Sequence, residues 1–441
     1  MKEQDRTIRL AAVQFRGSSD REANIRQAQV YIERAAEQGA DMICLHEMLN
    51  TDYFCPDGNP EFAAKTEPIP GLTTEWLAEF AKRYGVHIVA GIAEHAASDR
   101  VFYNSAIALN AEGELIAHYR KLHRSGSEER CFVKGELTEP VFIGPRGIRC
   151  GIMVCYDRHF PELSRRLAKA GAELILIPTT TAVESWTQPV WRSELRAIAS
   201  TNRVYVAAAN RVGKDEQSAV SLTYFGQSMI VSPDGTVLSE ASDCREELIS
   251  ADIDPDEAQR WQRKEPGLAA SELQQLQRIY AGAADARIGN SDWKEAEIRV
   301  QGGMSIIVGE EQLDPAEYAY GQAVVLQSGF AFARLTERQA HRPEYWRALA
   351  RNGTALIIAE CEGHVEDTFL AEMQYLSVSS PCYVLVASKD PADTVIWIQP
   401  NGSSSAGTVN RLIREELDKF QQRTGVVRHR RDDLLDPLFE H

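Results

Sequence analysis

Several short segments of this chain are apolar on both faces, and helical patterns separate them. ELILIP (173–178) and VYVAAAN (204–210) carry almost no polar residue, and GIRCGIMVC (147–155) has a single charge. Successive side chains of a strand point to opposite faces, so a run without alternation needs apolar cover on each side. IRLAAVQF (8–15), DMICLHEM (41–48), HIVAGIAE (87–94), NSAIALNAEG (104–113) and SMIVSPDG (228–235) extend the series of strands. Between them, Asp20 is placed to cap a helix in which Ile25, Ala28, Ile32 and Ala35 share one face. A second helix runs from Thr73 or Thr74 to Tyr84, with Gly85 placed to end it. Pro161 suits the first position of a third, which Gly171 ends, and a fourth lies near 189–200. Buried strands alternating with helices predict a layered α/β domain over the first 250 residues.

At 441 residues the chain is too long for one small core. From about 255 to 300 it becomes polar and helical, as in WQRKEPG (261–267). The organisation expected is a large domain over 1–285, a linker over 286–300 and a smaller α/β unit over 301–441. That smaller unit echoes the first domain in two registers. PEYWRALARNGTALII (343–358) lies without gaps over PELSRRLAKAGAELIL (161–176), and VIWIQPNG (395–402) mirrors SMIVSPDG. In the other register AVVLQ (323–327) matches AAVQF (11–15). The segment 410–441 reads as one helix with Leu412, Ile413, Leu417 and Phe420 apolar, followed by a solvated charge run, RHRRDD.

A net charge of −16 disfavours nucleic acid and anionic membranes as partners. The eight cysteines show neither a CxxC pair nor a metal-ligand spacing. The N-terminus lacks an apolar signal core, and no apolar run is long enough to span a membrane. A reducing cytoplasm with free thiols is the expectation.

GIMVCYDRHFPE (151–162) puts Cys155 at the end of an apolar run, a few residues before the helix opened by Pro161. Alone, such a cysteine is most often a packing residue. A thiol near a helix N-terminus, however, sits in positive potential, which favours thiolate. A useful thiolate also needs a base or a cation beside it. Glu47 closes MICLHEM, and Lys121 follows ELIAHY. Each alone would pass for a surface residue. All three follow a strand in one α/β series, and active sites of such folds gather where strands end.

CLHEM (44–48), YRKLHR (119–124) and CYDRHFPEL (155–163) together resemble the nitrilase superfamily, the carbon-nitrogen hydrolases, whose motifs occur in this order. AAVQF, YNSAIALNAEGEL (103–115), VYVAAANR (204–211) and SMIVSPDGTVL (228–238) agree as well, so the resemblance covers about residues 7 to 255. It implies a four-layer α-β-β-α sandwich of the nitrilase type, with 301–441 as a degenerate nitrilase-like unit. It also implies roles. Cys155 attacks a carbonyl carbon and forms a thioester. Glu47 takes the thiol proton and later activates water. Lys121, with a backbone N–H beside the cysteine, stabilises the oxyanion. A second glutamate after the lysine buttresses the site in many members, and counting back from Gly135 selects Glu128, with Glu129 as rival. Tyr53, Tyr156 and Thr180 are expected on the substrate side. Neither a metal nor a cofactor is implied.

The reaction expected is hydrolysis of a small linear amide or N-carbamoyl compound with release of ammonia. The partners expected are that small molecule and, as in many members, a second copy of the chain in a homodimer. A nitrilase acting on a nitrile, or a silent binding or scaffold protein, are the alternatives. The smaller unit has no Cys-Tyr-Asp element and is expected to be silent. His46 stands where the family has a proline, Asp52 where a glycine is common, and the stretch from Lys121 to Glu128 is short. The segment SWTQPVWRSELRA (185–197) could line the pocket, although packing is the more ordinary role for its tryptophans.

Overall fold

The computed structural model describes residues 6–55, 60–96, 101–136, 140–183, 188–215, 221–264, 294–300, 304–308, 311–317, 319–320, 323–325, 330–351, 354–388, 395–406, 409–413 and 416–419. They form two compact units. One takes the described residues within Met1–Gln188 and Ile198–Glu265, and the other those within Pro189–Ala197 and Pro266–Arg430.

The first unit begins with β1 (Ile8–Gln14), α1 (Arg21–Glu37), β2 (Met42–Cys44), α2 (Leu72–Tyr84), β3 (His87–His95), β4 (Phe102–Leu109) and β5 (Leu115–Arg120). It continues with β6 (Val141–Ile143), β7 (Arg149–Ile152), α3 (Pro161–Lys169), β8 (Leu174–Pro178), the end of α4 (Trp191–Asn202) from Ile198 onward, and β9 (Tyr205–Ala209). The hairpin of β10 (Val212–Lys214) and β11 (Thr223–Phe225) follows, then β12 (Met229–Val231), β13 (Val237–Glu240), β14 (Glu247–Ile253) and α5 (Pro255–Lys264). Two six-stranded sheets result, ordered β14-β1-β2-β3-β4-β5 and β13-β12-β9-β8-β7-β6.

The helix signals act as the sequence suggests. Asp20 accepts from the N–H of Ala23 at 3.0 Å, and Gly85 closes α2 in the left-handed conformation. Ile25, Ala28, Ile32 and Ala35 of α1 and Leu77, Phe80 and Ala81 of α2 join one cluster with Ala11, Val13, Ile43, Ile88 and Ile107, so these helices cover one face of the first sheet. The other face meets the second sheet. Cys150 Sγ of β7 lies 4.0 Å from Met42 Sδ of β2, and Cys44 Sγ lies 4.0 Å from the Ala207 carbonyl of β9. Leu167 of α3 packs over Gly151 of β7 on the far side of that second sheet. Helix, sheet, sheet and helix thus form four layers, and the runs apolar on both faces are the sheets between them.

The second unit holds β15 (Glu295–Val300), β16 (Met304–Val308), β17 (Glu311–Leu313), β18 (Ala323–Val325), β19 (Ala331–Thr336), α6 (Glu337–Ala340), α7 (Pro343–Arg351) and β20 (Leu356–Cys361). After these come α8 (Asp367–Ser379), β21 (Tyr383–Ser388), β22 (Ile396–Ile398), β23 (Ser404–Ala406) and β24 (Val409–Ile413). An antiparallel sheet ordered β17-β16-β15-β24 packs on a six-stranded sheet ordered β18-β19-β20-β21-β22-β23. Ile298, Ile306 and Leu412 of the former meet Phe332, Leu356, Ile358, Leu385 and Trp397 of the latter.

Two expectations need correction here. The linker expected over 286–300 includes β15 from Glu295, which pairs with β16 and β24 and buries Ala296 and Ile298. Leu412 and Ile413, expected in a helix, belong to β24, and only 416–419 are helical among the described residues that follow. Leu412 and Leu417 do enter one core, but from a strand and a helix in turn. Phe420 and the RHRRDD run lie outside the described residues, as do Ser185, Trp186 and Thr187, whereas Trp191 of the same segment is buried at 1% exposure.

The six-stranded sheets of the two units share one pattern of neighbours. From β6 to β13 the pairings run antiparallel, parallel, parallel, antiparallel, antiparallel. From β18 to β23 they run the same way. Buried Arg165 of α3 donates to the Thr201 carbonyl at 2.8 Å, and buried Arg347 of α7 donates to the Ser379 carbonyl at 2.5 Å. These equivalences follow the register that sets Pro343 on Pro161. The other register would set β18, an edge strand, against β1, which lies inside its sheet.

Candidate functional site

Glu47 lies three residues past β2, at the start of a turn whose flanking residues Leu45, His46 and Leu49 hydrogen-bond to β3. Met48 after it adopts φ 51°, a left-handed value that costs a side chain of this type about 1–2 kcal/mol. The turn presses on β3, where a Cβ at Gly91 would lie 2.5 Å from Glu47 Cα, so only glycine fits. The Glu47 side chain is fully buried and receives four donors. Lys121 Nζ reaches Oε1 at 2.8 Å and Asn104 Nδ2 reaches it at 2.6 Å. The Thr180 N–H reaches Oε2 at 2.8 Å and its hydroxyl reaches it at 2.5 Å. Burial alone would push this carboxyl up, but the Lys121 charge and the donors outweigh it and hold Glu47 below its ordinary value.

Lys121 follows β5, and its N–H donates to the Asn104 carbonyl at 2.8 Å. Its ammonium also meets Glu128 Oε1 at 2.9 Å. Burial works against the charged amine, yet Glu128 and Glu47 hold it well above the usual lysine range. Glu128, itself fully buried, takes Asn104 Nδ2 on Oε1 at 2.6 Å and the Ser125 N–H on Oε2 at 2.7 Å. Burial, together with the charge of Glu47, raises its pKa against the pull of Lys121. The sequence left Glu128 and Glu129 as rivals. Glu128 is the one at Lys121, while Glu129 is partly exposed.

Cys155 opens a single turn of 3-10 helix, Cys155–His159, between β7 and α3. Its φ of 45° is again left-handed. Asp157, fully buried, fixes this turn. Oδ2 accepts from the Val154 N–H at 3.0 Å and the Tyr119 hydroxyl at 2.8 Å. Oδ1 accepts from the His123 N–H at 2.9 Å and pairs with His123 Nδ1 at 2.8 Å. Tyr119 and His123 flank Lys121, so one carboxylate sets the register between the cysteine turn and the lysine segment. The His123 ring also stacks on Phe160, with centroids 3.7 Å apart. Cys155 as a residue is partly exposed, and its Sγ lies 3.8 Å from Thr181 Oγ1 and 3.7 Å from Arg158 Nη1, which also donates to the Cys155 carbonyl at 2.9 Å. Burial and the nearby Glu47 charge push the thiol up to about 11, against the pull of Lys121 and Arg158. At neutral pH it is therefore protonated at rest, and a base must take its proton before it can attack.

The three residues expected on the substrate side are placed differently from one another. Thr180 binds Glu47 with both of its donors. The Tyr53 hydroxyl lies 2.9 Å from Ser125 Oγ and 3.2 Å from Ser127 Oγ, in the segment carrying Glu128. Tyr156 is nearly buried, edge-on to His159 and Phe160. His46 is buried with its ring 4.5 Å from that of Phe15, and Asp52 is held by Lys65 at 2.7 Å. Sequence reasoning missed Asn104, Asp157, Arg158, Thr181, Asn210 and Arg211 as parts of this cluster. All of these except Thr181 lie inside the stretches that carry the family resemblance, which was the available signal.

Comparison with known proteins adds to this geometry. The carbon-nitrogen hydrolase family model matches residues 9–263. An N-carbamoylputrescine amidase from Solanum lycopersicum is 30% identical over 269 residues, covering 58% of this chain and 89% of its own. An omega-amidase from Xenopus laevis is 34% identical over 256 residues, covering 56% and 88%. A mutant of the amidase from Nesterenkonia sp. AN1, solved with the acetamide moiety of fluoroacetamide added covalently at its active site cysteine, superimposes with a TM-score of 0.51 at 25% identity, covering 60% of this chain and 95% of its own.

Proposed function

Because the chain belongs to the carbon-nitrogen hydrolase family, we propose that it hydrolyses a small linear amide or N-carbamoyl compound through a thioester on Cys155. The observation that carries this reading is a buried Glu47 carboxylate, donor-saturated and joined by Lys121 to Glu128, bound by Thr180 while the adjoining Thr181 lies 3.8 Å from Cys155 Sγ. Glu47 takes the Sγ proton. The thiolate attacks the carbonyl carbon, a C–S bond forms, and the carbonyl π pair moves onto oxygen. The Lys121 ammonium and a backbone N–H beside Cys155 neutralise that oxyanion, and a preorganised donor of this kind supplies about 3 kcal/mol in the transition state. Collapse breaks the C–N bond, and the nitrogen leaves as ammonia with the proton that Glu47 held. Glu47 then takes a proton from water, the hydroxide attacks the thioester, and the proton returns to Sγ as the acid departs. Thr180 and Asn104 orient the base, and Glu128 holds Lys121 from its other side.

Ammonia release across a panel of aliphatic amides, N-carbamoyl amines, N-carbamoyl amino acids and nitriles tests this reading, with intact-mass analysis after fluoroacetamide treatment. A mass increase located on Cys155 and hydrolysis lost in Cys155→Ala are expected. Full hydrolysis by Cys155→Ala would refute the assignment, and turnover of nitriles alone would convert it to a nitrilase.

The second unit is read as a degenerate copy of the second half of the first. The shared order of strand pairings and the Arg165 and Arg347 contacts support this. The same register places Glu337 opposite Cys155, and the Glu337 carboxylate accepts the Glu362 N–H at 2.8 Å. With a carboxylate in the nucleophile's place this unit is silent, and one adduct per chain is the expected stoichiometry.

A further inference from the structure

Two consecutive residues at the end of β9, Asn210 and Arg211, are fully buried and take no direct part in the steps above. Each grips a different half of the site. Arg211 Nη2 donates to the carbonyls of Glu47 at 3.2 Å, Met48 at 2.9 Å and Thr51 at 2.9 Å. These oxygens belong to the turn that carries the base, and buried backbone oxygens without partners would each cost free energy. The guanidinium lies 5.5 Å from the Tyr224 ring centre, and it fits only because residue 17 is glycine, where a Cβ would come within 2.6 Å of it. Asn210 faces the other way. Its Oδ1 accepts the Thr181 N–H at 2.8 Å, and its Nδ2 donates to the Thr181 carbonyl at 3.3 Å and the Gly226 carbonyl at 2.9 Å. Thr181 adjoins both Thr180, which binds the Glu47 carboxylate, and Cys155 Sγ.

Glu47 is thus held twice from one dipeptide: its backbone by Arg211, and its carboxylate through Thr180 by way of Asn210. β2 lies in the first sheet and β9 in the second, so the dipeptide also fixes the base relative to a neighbour of the thiol across the two sheets. The left-handed φ of Met48 shows what the grip opposes, since without it the turn would relax toward a commoner conformation. We propose that Asn210 and Arg211 are positioning residues that hold Glu47 in proton-transfer distance of Cys155, with no contact to substrate. This rests on the reading of Cys155 as nucleophile and Glu47 as its base.

The test is the rate of fluoroacetamide addition to Cys155, followed by intact mass from neutral pH to alkaline pH in the full chain, alongside unfolding midpoints. Arg211→Gln is expected to lose about tenfold or more of the rate at neutral pH, where the thiol needs its base. The gap to the natural protein should close as pH approaches 11, where the thiol ionises unaided. Arg211→Lys, whose ammonium offers three donors to the three carbonyls, should recover most of the neutral rate. Asn210→Asp keeps the acceptor for Thr181 and loses both Nδ2 donors, so it should show the same pH-dependent loss in smaller degree. It decides the matter if Arg211→Gln does not fold. A variant whose rate falls by one factor at every pH, in step with its folded fraction, would overturn the positioning role alone. Absence of any adduct on Cys155 in the natural protein would overturn the nucleophile reading and this proposal with it.

Discussion

Asp157→Asn removes one acceptor oxygen while keeping the side chain's shape. In the natural protein the two carboxylate oxygens serve four partners: the Val154 N–H, the Tyr119 hydroxyl, the His123 N–H and the His123 ring. Whichever way the asparagine amide lies, two of the four face an NH2 group in place of the charged oxygen that accepted from them. A hydrogen bond to a charged group is worth about 1.5–3 kcal/mol, so the cost is about 3–6 kcal/mol. At about 2–4 °C per kcal/mol for a domain of this size, the unfolding midpoint of the first unit should fall by about 6–24 °C. Local geometry suffers as well. The left-handed backbone of Cys155 is strained by about 1–2 kcal/mol, and its turn would then be held by fewer bonds than it needs. Release of that strain corresponds to about a 5- to 30-fold drop in the population of the reactive turn. Scanning calorimetry gives the first quantity, and the rate of fluoroacetamide addition, measured well below the lowered midpoint, gives the second. A midpoint within about 2 °C of the natural protein with an unchanged addition rate would refute the assignment of Asp157 as the link between the two segments.

Two further outcomes can be checked. Glu47→Gln removes the base and should lower kcat on the best amide of the panel by about 10²–10⁴-fold, and a drop of less than threefold would place the base elsewhere. Glu94 is buried, which pushes its carboxyl up, but His118 at 2.9 Å, the Arg120 guanidinium and the Ser105 hydroxyl outweigh this and bring it from 4.5 down to about 2. A carboxyl with a depressed folded pKa stabilises above its unfolded pKa and loses that contribution as pH falls through the folded one. Glu94→Gln should therefore destabilise by about 3 kcal/mol at neutral pH. The penalty should shrink between pH 4.5 and about 2, and a penalty independent of pH across that window would show that packing sets it.

The layered domain was legible because its signals are local. Asp20, Gly85 and Pro161 sit where caps, stops and starts require them, and runs such as ELILIP could only be buried strands. The second unit misled where the signal was short. EAEIRV alternates like a half-exposed strand but lies in a polar stretch, and Leu412, Ile413 and Leu417 fit a helical face while two of them occupy β24. In the site, Glu47, Lys121 and Cys155 stood out through motif order, and the structure brings the first two into direct contact. Asn104, Asp157 and Arg211 were illegible as partners because their contacts join distant positions. Asn104 reaches Glu47 and Glu128 at once, and Arg211 lies 164 residues from the carbonyl of Glu47. No local periodicity encodes such a meeting. It arises only when the two sheets stack.

The four donors around the Glu47 carboxylate carry a consequence for the order of folding. Asn104 and Lys121 come from the first sheet's strand ends, and both Thr180 donors come from the second. A chain in which either sheet has formed alone has only half of that shell. During refolding, a reactive Cys155 should therefore appear with the docking of the sheets and lag behind the growth of secondary structure. Regain of thiol reactivity then becomes a clock for the slowest, longest-range step of assembly.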